Sequence, residues 1–159
     1  MIDNTSQGPA RENLRTLIYF LGLIIDQKLG ELRKGTPYEK VRSSDVRVFV
    51  TAARACNTIS HIARELQITR QSVQKSVRRL VDLGVVALEA TPGNNRDKLV
   101  ALTKRGVLAR GTAANQIGLV EHEFAQILGA EGVEHLRQAM MKLVAANYDD
   151  GLKPKLNKS

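Results

Sequence analysis

The chain has 159 residues, of which 43% are hydrophobic, and a formal net charge of +8. This length predicts one domain, or one domain with long flanking helices, and the apolar fraction is sufficient for a buried core. The basic excess favours a polyanionic partner, nucleic acid first and an anionic membrane second, although many ordinary proteins are also basic. Because Cys56 is the only cysteine, an internal disulfide and a cysteine-based metal cluster are excluded, and we expect a cytoplasmic location.

A long first helix is predicted to begin at Pro9, which suits the first turn of a helix, and to end just before Gly35. Apolar residues recur through it at helical spacing from Leu14 to Leu32, and further apolar side chains widen this stripe. A helix that is apolar on more than one face needs more than one packing partner. Its longest apolar run, residues 17–25, is too short to span a bilayer and lacks the features of a signal peptide.

A second helix is predicted to begin after Ser43 or Ser44, either of which can cap it, with Asp45 in its first turn. The apolar set of this helix is Val46, Phe49, Val50 and Ala53. Thr58 can cap a short third helix. The inner face expected for that helix is Ile59, Ile62, Ala63 and Leu66.

The fourth helix follows a tight turn at residues 67–68, is capped by Thr69 and stops near Gly84. On a period of about 3.6 residues, Val73, Val77 and Leu80 share one side. The opposite side and its flank carry residue types that contact phosphates and base edges: Arg70, Gln71, Gln74, Lys75 and Arg78. This polar face predicts a helix that reads the major groove of DNA; the alternative is an ordinary solvated surface.

Beyond the fourth helix, two short strands are predicted at residues 85–89 and 98–102. The intervening segment 91–95 is rich in turn residues, so the two strands form a hairpin. Asn94, Asn95 and Arg96 at its tip make a short polar finger with one cation. Arg96 suits the narrow minor groove, where the negative potential is enhanced. Two basic elements beside one small core favour DNA binding over a solvated surface.

Thr103 is predicted to cap a fifth helix, which Gly129 ends, and a sixth helix extends from about Glu131 to Asn147. The apolar residues at helical spacing in these two helices are Ile117, Val120, Phe124, Ile127, Leu128, Leu136, Met140, Leu143 and Val144. The outer helices carry more apolar surface than the middle segment, residues 43–102, can cover. Either a second copy of the chain covers this surface as a two-fold dimer, or the three outer helices cover one another.

Five motifs follow one another in a fixed order: residues 58–66 (TISHIAREL), 69–73 (TRQSV), 80–84 (LVDLG), Arg96, and 102–106 (LTKRG). In this order they resemble the multiple-antibiotic-resistance regulator (MarR) family, winged-helix transcription factors of bacteria and archaea. The resemblance extends over most of the chain. It implies a mainly α fold with a small β hairpin (α+β), in which long helices flank a winged helix-turn-helix.

The resemblance further implies a homodimer, with a helical dimerisation region at 9–42 and 103–148, a winged helix-turn-helix DNA-binding domain at 43–102, and a flexible basic tail at 149–159. Two winged domains would read a pseudo-palindromic operator. We expect a transcriptional regulator, acting as a repressor or as an activator, that a small aromatic or phenolic ligand releases from DNA. The expected DNA-binding residues are Thr69, Arg70, Gln71, Gln74, Lys75, Arg78, Asn94, Asn95, Arg96 and Lys98.

Two positions depart from the family pattern. Asn94 stands where the family wing usually has an aspartate two residues before the arginine, and an amide can hydrogen-bond to arginine but cannot form an ion pair with it. We therefore expect a wing that orders fully only on DNA. Gln67 stands where the turn often has glycine, which makes a positive φ less favourable there.

Other chemistry has weaker support in the sequence. His61, His122 and His135 are scattered without paired ligand spacing, so we predict no metal site and no cofactor. Cys56 is interpreted as a small buried hydrophobe rather than a redox switch. We find no phosphate loop, nucleophile elbow or paired carboxylates, and therefore predict no enzyme. The rival hypothesis is a winged-helix architectural or protein-binding assembly factor without an effector response.

Overall fold

The computed structural model describes residues 13–54, 57–91, 93–149 and 153–154, except for the side chains of 94–96, 148–149 and 153–154. This described part of the chain is mainly helical with a small antiparallel sheet, as the sequence predicts. The elements in chain order are α1 (Leu14–Arg33), α2 (Ser43–Arg54), β1 (Asn57–Thr58), α3 (Ile59–Glu65), α4 (Arg70–Asp82), β2 (Val86–Thr91), β3 (Asn94–Leu102), α5 (Lys104–Asn147), β4 (Tyr148–Asp149) and β5 (Lys153–Pro154).

The first helix, α1, begins after Asn13, whose side-chain oxygen accepts a hydrogen bond from the backbone N–H of Thr16 at 3.0 Å. It ends at Arg33, and Gly35 then adopts a φ of 71°. The predicted end before Gly35 is confirmed, whereas the predicted start at Pro9 lies outside the described residues.

The prediction that Ser43 or Ser44 caps α2 is wrong. The helix begins at Ser43, and the carboxylate of Asp45 accepts a hydrogen bond from the backbone N–H of Arg42 at 3.2 Å. A charged acceptor in the first turn satisfies this free N–H more strongly than a serine hydroxyl would. The helix α2 therefore begins at Ser43 and not after it.

The inner face of α2 includes only part of the apolar set read from the sequence. The buried residues are Val48, Phe49 and Ala52, joined by Asp45 and Thr51, whereas Val50 is 49% exposed. Apolar residues occupy two faces of this helix, and periodicity alone does not say which of them meets the core. The second face, with Val46 and Val50, borders a cleft described below.

The main hydrophobic cluster lies within the middle segment, residues 43–102. Buried residues from α2, α3, α4 and the sheet form one cluster: Val48, Phe49, Ala52, Ile59, Ile62, Ala63, Val73, Val77, Leu80, Val85, Val86 and Val100. The strand order is β1-β3-β2, with antiparallel pairing throughout. The predicted hairpin is present with longer strands. The two-residue strand β1 was missed because it is too short to show a period.

The long carboxy-terminal helix starts as predicted. The Thr103 hydroxyl accepts a hydrogen bond from the backbone N–H of Gly106 at 3.0 Å. The helix is broken at Gly129, where φ is 75° and ψ is 158°. The segments 104–128 and 130–147 of α5 therefore correspond to the predicted fifth and sixth helices.

The outer helices leave most of their apolar side chains exposed within one chain. No residue of α1 is buried, and Val120 is the one buried apolar side chain of α5. The two helices are tied by an ion pair between Lys28 and Glu123 and by a 3.2 Å hydrogen bond from Gln116 to the carbonyl of Leu32. The three outer segments thus do not cover one another's apolar surface.

Three residues of the predicted flexible tail, 149–159, lie in short strands, with Asp149 in β4 and the other two in β5. Lys153 and Pro154 form β5, which pairs with β4 at residues 148–149. The remaining tail residues, 150–152 and 155–159, lie outside the described part, as does Cys56.

Candidate nucleic-acid interface

The helix α4 is held against the core through its inner side and its first residues. Val73, Val77 and Leu80 are buried, as predicted. The Thr69 hydroxyl accepts a hydrogen bond from the backbone N–H of Ser72 at 3.1 Å, which confirms the predicted cap. The same Thr69 oxygen lies 2.8 Å from the hydroxyl oxygen of Ser72, so the cap engages it twice.

The turn before α4 places Gln67 in the left-handed backbone region, which glycine adopts more readily than glutamine. Its φ is 54°, the one positive φ of a non-glycine residue in the described chain. The backbone N–H of Ile68 then donates to the carbonyl of Ala63 at 3.0 Å. The turn geometry is therefore kept with glutamine at this position, at some backbone cost.

The outward side of α4 is exposed along its whole length. The exposed polar and basic residues are Arg70, Gln71, Ser72, Gln74, Lys75 and Arg78. Five of these were predicted to face away from the core, and their exposure is confirmed; what they bind is not tested by exposure. Long basic and amide side chains on a rigid helix are the types that reach phosphates and base edges.

A buried ion pair, which sequence reasoning missed, fixes α4 to α2. Arg79 donates to Asp45 from Nε at 3.0 and 3.1 Å and from Nη2 at 2.5 Å. Asp45 is 1% exposed. Burial raises the pKa of Asp45, but hydrogen bonds from Arg79, from Ser76 and from the backbone of Arg42 outweigh burial and hold that pKa below its ordinary value.

The wing is the hairpin of β2 and β3. The two strands pair from Val86 with Leu102 to Thr91 with Asn94, and the register shifts between Glu89 and Thr91. Lys98 is exposed on β3. Asn94, Asn95 and Arg96 begin β3 at the tip, but their side chains are not among those described. The predicted contacts of the wing tip therefore stay predictions.

A groove of about 400 Å³ separates α4 from the wing. Its lining residues are Ile59, Arg70, Gln74, Val77, Arg78, Val81, Leu88, Asp97 and Lys98. Four of the predicted DNA-binding residues therefore share one groove: Arg70, Gln74, Arg78 and Lys98. Gln71 and Lys75 do not line it.

Asp97 lines this groove and was not singled out in the sequence. Its Oδ1 lies 3.6 Å from Nη2 of Arg70 and accepts a hydrogen bond from the backbone N–H of Ser60 at 3.3 Å. Burial raises the pKa of Asp97, but hydrogen bonds from Ser60 and Thr58 and the charge of Arg70 outweigh it, and the pKa lies below its ordinary value.

A second cavity, of about 230 Å³, lies between the core domain and the outer helices. Its wall is almost entirely apolar, with Arg33 and Arg110 as its charged residues. The Nε atom of Arg33 is buried and has no hydrogen-bond partner in the described part of the chain. The lining residues include Leu29, Tyr38, Val46, Phe49, Val50, Leu80, Leu83, Ala113 and Ile117.

Among the described residues, no cluster of three or more histidine, cysteine or acidic side chains is arranged to hold a metal ion. The described helices also include none with the length and apolarity needed to cross a bilayer. His122 lies 3.4 Å from the amide nitrogen of Gln126, and His61 lies 3.4 Å from Glu65.

Comparison with known proteins agrees with this geometry. Residues 52–97 match the model of the MarR family. No curated protein sequence gives a significant match. A MarR-family transcriptional regulator from Rhodococcus sp. RHA1 has a similar structure, with a TM-score of 0.72, 17% identity, and coverage of 91% of this chain and 100% of that one.

Two further solved structures are similar. Apo MarR from E. coli has a TM-score of 0.71 and 21% identity, with 84% of this chain and 98% of that chain covered. CouR from Rhodococcus jostii RHA1, solved bound to p-coumaroyl-CoA, has a TM-score of 0.66 and 17% identity, with 91% and 100% covered. At these identities the structural similarity establishes the fold.

Proposed function

This chain has the fold of the MarR-family transcriptional regulators and matches that family over its winged helix-turn-helix, and from this premise we propose that it is a sequence-specific DNA-binding regulator. The observation that carries the proposal is the exposed polar and basic side of α4 beside the basic groove that borders the wing. A rigid helix with such a side, held at a fixed tilt by a second helix, suits the major groove.

The proposed DNA contacts fall into two groups. Arg70 and Gln71, at the amino end of α4, are proposed to reach base edges, because that end of a reading helix typically enters the groove. Phosphate contacts and wing contacts are proposed for Thr69, Gln74, Lys75, Arg78, Asn94, Asn95, Arg96 and Lys98.

Footprinting of the DNA beside the protein's own gene tests this function. We expect a protected pseudo-palindrome whose half-sites lie about one helical turn apart, because two copies of α4 related by a two-fold axis would enter successive major grooves. Uniform weak protection would instead support the rival hypothesis, an architectural or assembly factor.

The exposed apolar surface of α1 and α5 supports a homodimer. Tyr19 is 62% exposed and Ile127 is 81% exposed within one chain, which is unfavourable for a folded monomer in water. A two-fold partner would cover the same surface on both copies. The finer division into dimerisation region and DNA-binding domain, at residue 43 and at residue 103, belongs to the same proposal.

Light scattering tests the dimer. At micromolar protein we expect twice the chain mass of 17.5 kDa. Met140→Glu inserts a charge into the apolar stripe of α5 that includes Leu136 and Leu143, and we expect it to shift the assembly toward monomer. Lys142→Glu, two residues along the same helix and off this stripe, is the control and should leave the mass unchanged. A stable, well-folded wild-type monomer would contradict the dimer.

The apolar cavity supports a small aromatic or phenolic effector. A ring fits its apolar wall, and an acidic oxygen on the ligand would pair with Arg33 or Arg110, the charged residues of the lining. Leu80 and Leu83, at the carboxy end of α4, line the same cavity. A ligand there would contact the reading helix directly, so its binding would be coupled to the tilt of that helix.

A thermal-shift screen of small aromatic acids and phenols tests the effector. We expect at least one to raise the melting temperature and to weaken operator binding. Ala113→Phe, which fills the cavity from α5, should abolish both responses and leave operator binding by the free protein nearly unchanged. If the filled variant kept the full response, the ligand would bind elsewhere.

A further inference from the structure

The contact between Arg70 and Asp97 joins the first residue of the reading helix to the base of the wing. Arg70 is 54% exposed at its side chain, whereas Asp97 is 14% exposed. Of the described residues that line the groove between α4 and the wing, Asp97 is the one acid. An acid in a groove that faces DNA repels phosphates, so its presence there calls for a physical reason.

The side chain and the backbone of Asp97 are each held by a neighbouring element of the fold. Its Oδ1 accepts the backbone N–H of Ser60, at the start of α3, at 3.3 Å. Its backbone lies in β3, next to the stretch where β3 pairs with β1 at Thr58 and Leu99. The carboxylate is therefore attached to the wing and to α3 at once, and Arg70 is the flexible partner of the pair.

We propose that Asp97 is a positioning residue for base recognition, which holds the guanidinium of Arg70 on the wing side of α4 and so sets the base preference at one position of each half-site. This inference rests on the proposed function. The contact at 3.6 Å uses Nη2 alone. The remaining donors of the planar group stay available for a base with two acceptors, such as guanine.

Restraint of Arg70 increases discrimination between sequences rather than affinity. A free arginine side chain adopts many rotamers and can turn to a phosphate when the base is wrong. An arginine held by a carboxylate loses less freedom when it contacts the right base and is less able to turn to a phosphate elsewhere. The negative charge of Asp97 meanwhile lowers affinity for every sequence alike.

Selection from a randomised DNA duplex library, followed by titration of single-base-pair variants of the selected site, tests the inference. For Asp97→Asn we expect discrimination at one base pair per half-site to fall about fivefold or more, with preferences elsewhere unchanged. Affinity for a non-selected duplex should rise, because a negative charge is lost. Asparagine keeps an oxygen for the N–H of Ser60, so the fold is retained.

The background variant Arg70→Ala separates positioning from a general structural role. In this background Asp97→Asn should not alter discrimination further, since the side chain it positions is absent. Asp97→Glu keeps the negative charge but moves the carboxylate by one methylene, so it should lose the same single preference; it tests the inference if Asp97→Asn does not fold. If the wild type selects a motif and both variants keep its full base profile, the inference is overturned. If the wild type selects no motif, the proposed function itself fails.

Discussion

Replacing Gly106 by alanine is expected to destabilise the protein by about 3 kcal/mol or more, because the added methyl group has no space. A Cβ at this position would lie 2.0 Å from the carbonyl oxygen of Val85 and 3.3 Å from Cγ of Leu102. The oxygen cannot move freely, since the backbone N–H of Thr103 donates to it at 3.2 Å. Any relief therefore displaces either the start of α5 or the segment that leads into β2.

Gly111→Ala, in the same helix, is the matched control for this prediction. A Cβ at Gly111 meets nothing within 4 Å, so alanine should stabilise the helix by up to about 1 kcal/mol. Denaturant unfolding of both variants at one fixed protein concentration gives the comparison. Equal stability of Gly106→Ala and wild type would show that the close approach to Val85 does not constrain the protein.

Asp45→Ala is expected to cost about 2–4 kcal/mol of unfolding free energy and to loosen α4. The change removes the acceptor of Arg79 and of the Arg42 backbone N–H at the start of α2. Breaking a buried ion pair typically costs about 3–5 kcal/mol. We expect somewhat less, since Arg79 is 35% exposed and can turn to water. Glu134→Ala, which removes an exposed ion pair with Arg137, should cost under about 1 kcal/mol.

The pH dependence of the unfolding free energy provides a second test of the ion pair between Asp45 and Arg79. Its pKa is lower in the folded state than in the unfolded chain. Its carboxylate therefore contributes stability that is fully present above the unfolded pKa and is lost as pH falls through the folded pKa. Below about pH 4, wild type should lose stability faster than Asp45→Ala. Parallel stability curves for the two proteins over that range would contradict the role of this ion pair.

Much of the fold was predictable because its signals are local. Thr58, Thr69 and Thr103 accept hydrogen bonds from N–H groups three residues later, as predicted. Gly84 and Gly129 have positive φ at the predicted helix ends. A cap or a stop depends on a few adjacent residues, so one sequence window contains all the information.

The features that were missed depend on residues distant in sequence. Asp45 and Arg79 are 34 residues apart and lie on different helices. Nothing in a single-sequence pattern specifies this pair, and the same is true of Arg70 with Asp97. The inner face of α2 could not be assigned for a related reason, because apolar residues on two faces give no sign of which face meets the core. The glycine of the LTKRG motif was noticed, but only the structure reveals the Val85 carbonyl beside it.

The exposed polar side of α4 was predicted well because exposure follows from the period of a single helix. Its buried residues and its exposed polar residues both agree with the sequence pattern. The length of the wing strands and the contacts of Asp97 could not be predicted from periodicity alone. The strands are longer than predicted, and Asp97 sits directly after the wing arginine, where the sequence alone gave no indication of a partner for it.

Sequence-specific DNA binding, the central claim, is tested most directly by a competition titration. A labelled duplex that carries the footprinted operator is displaced by unlabelled operator or by a scrambled duplex of the same length and base composition, at one fixed salt concentration. We predict that the operator competes about a thousandfold or more better than the scrambled duplex, as is typical of specific regulators. Equal competition by the two duplexes would contradict the claim and favour an architectural or assembly role.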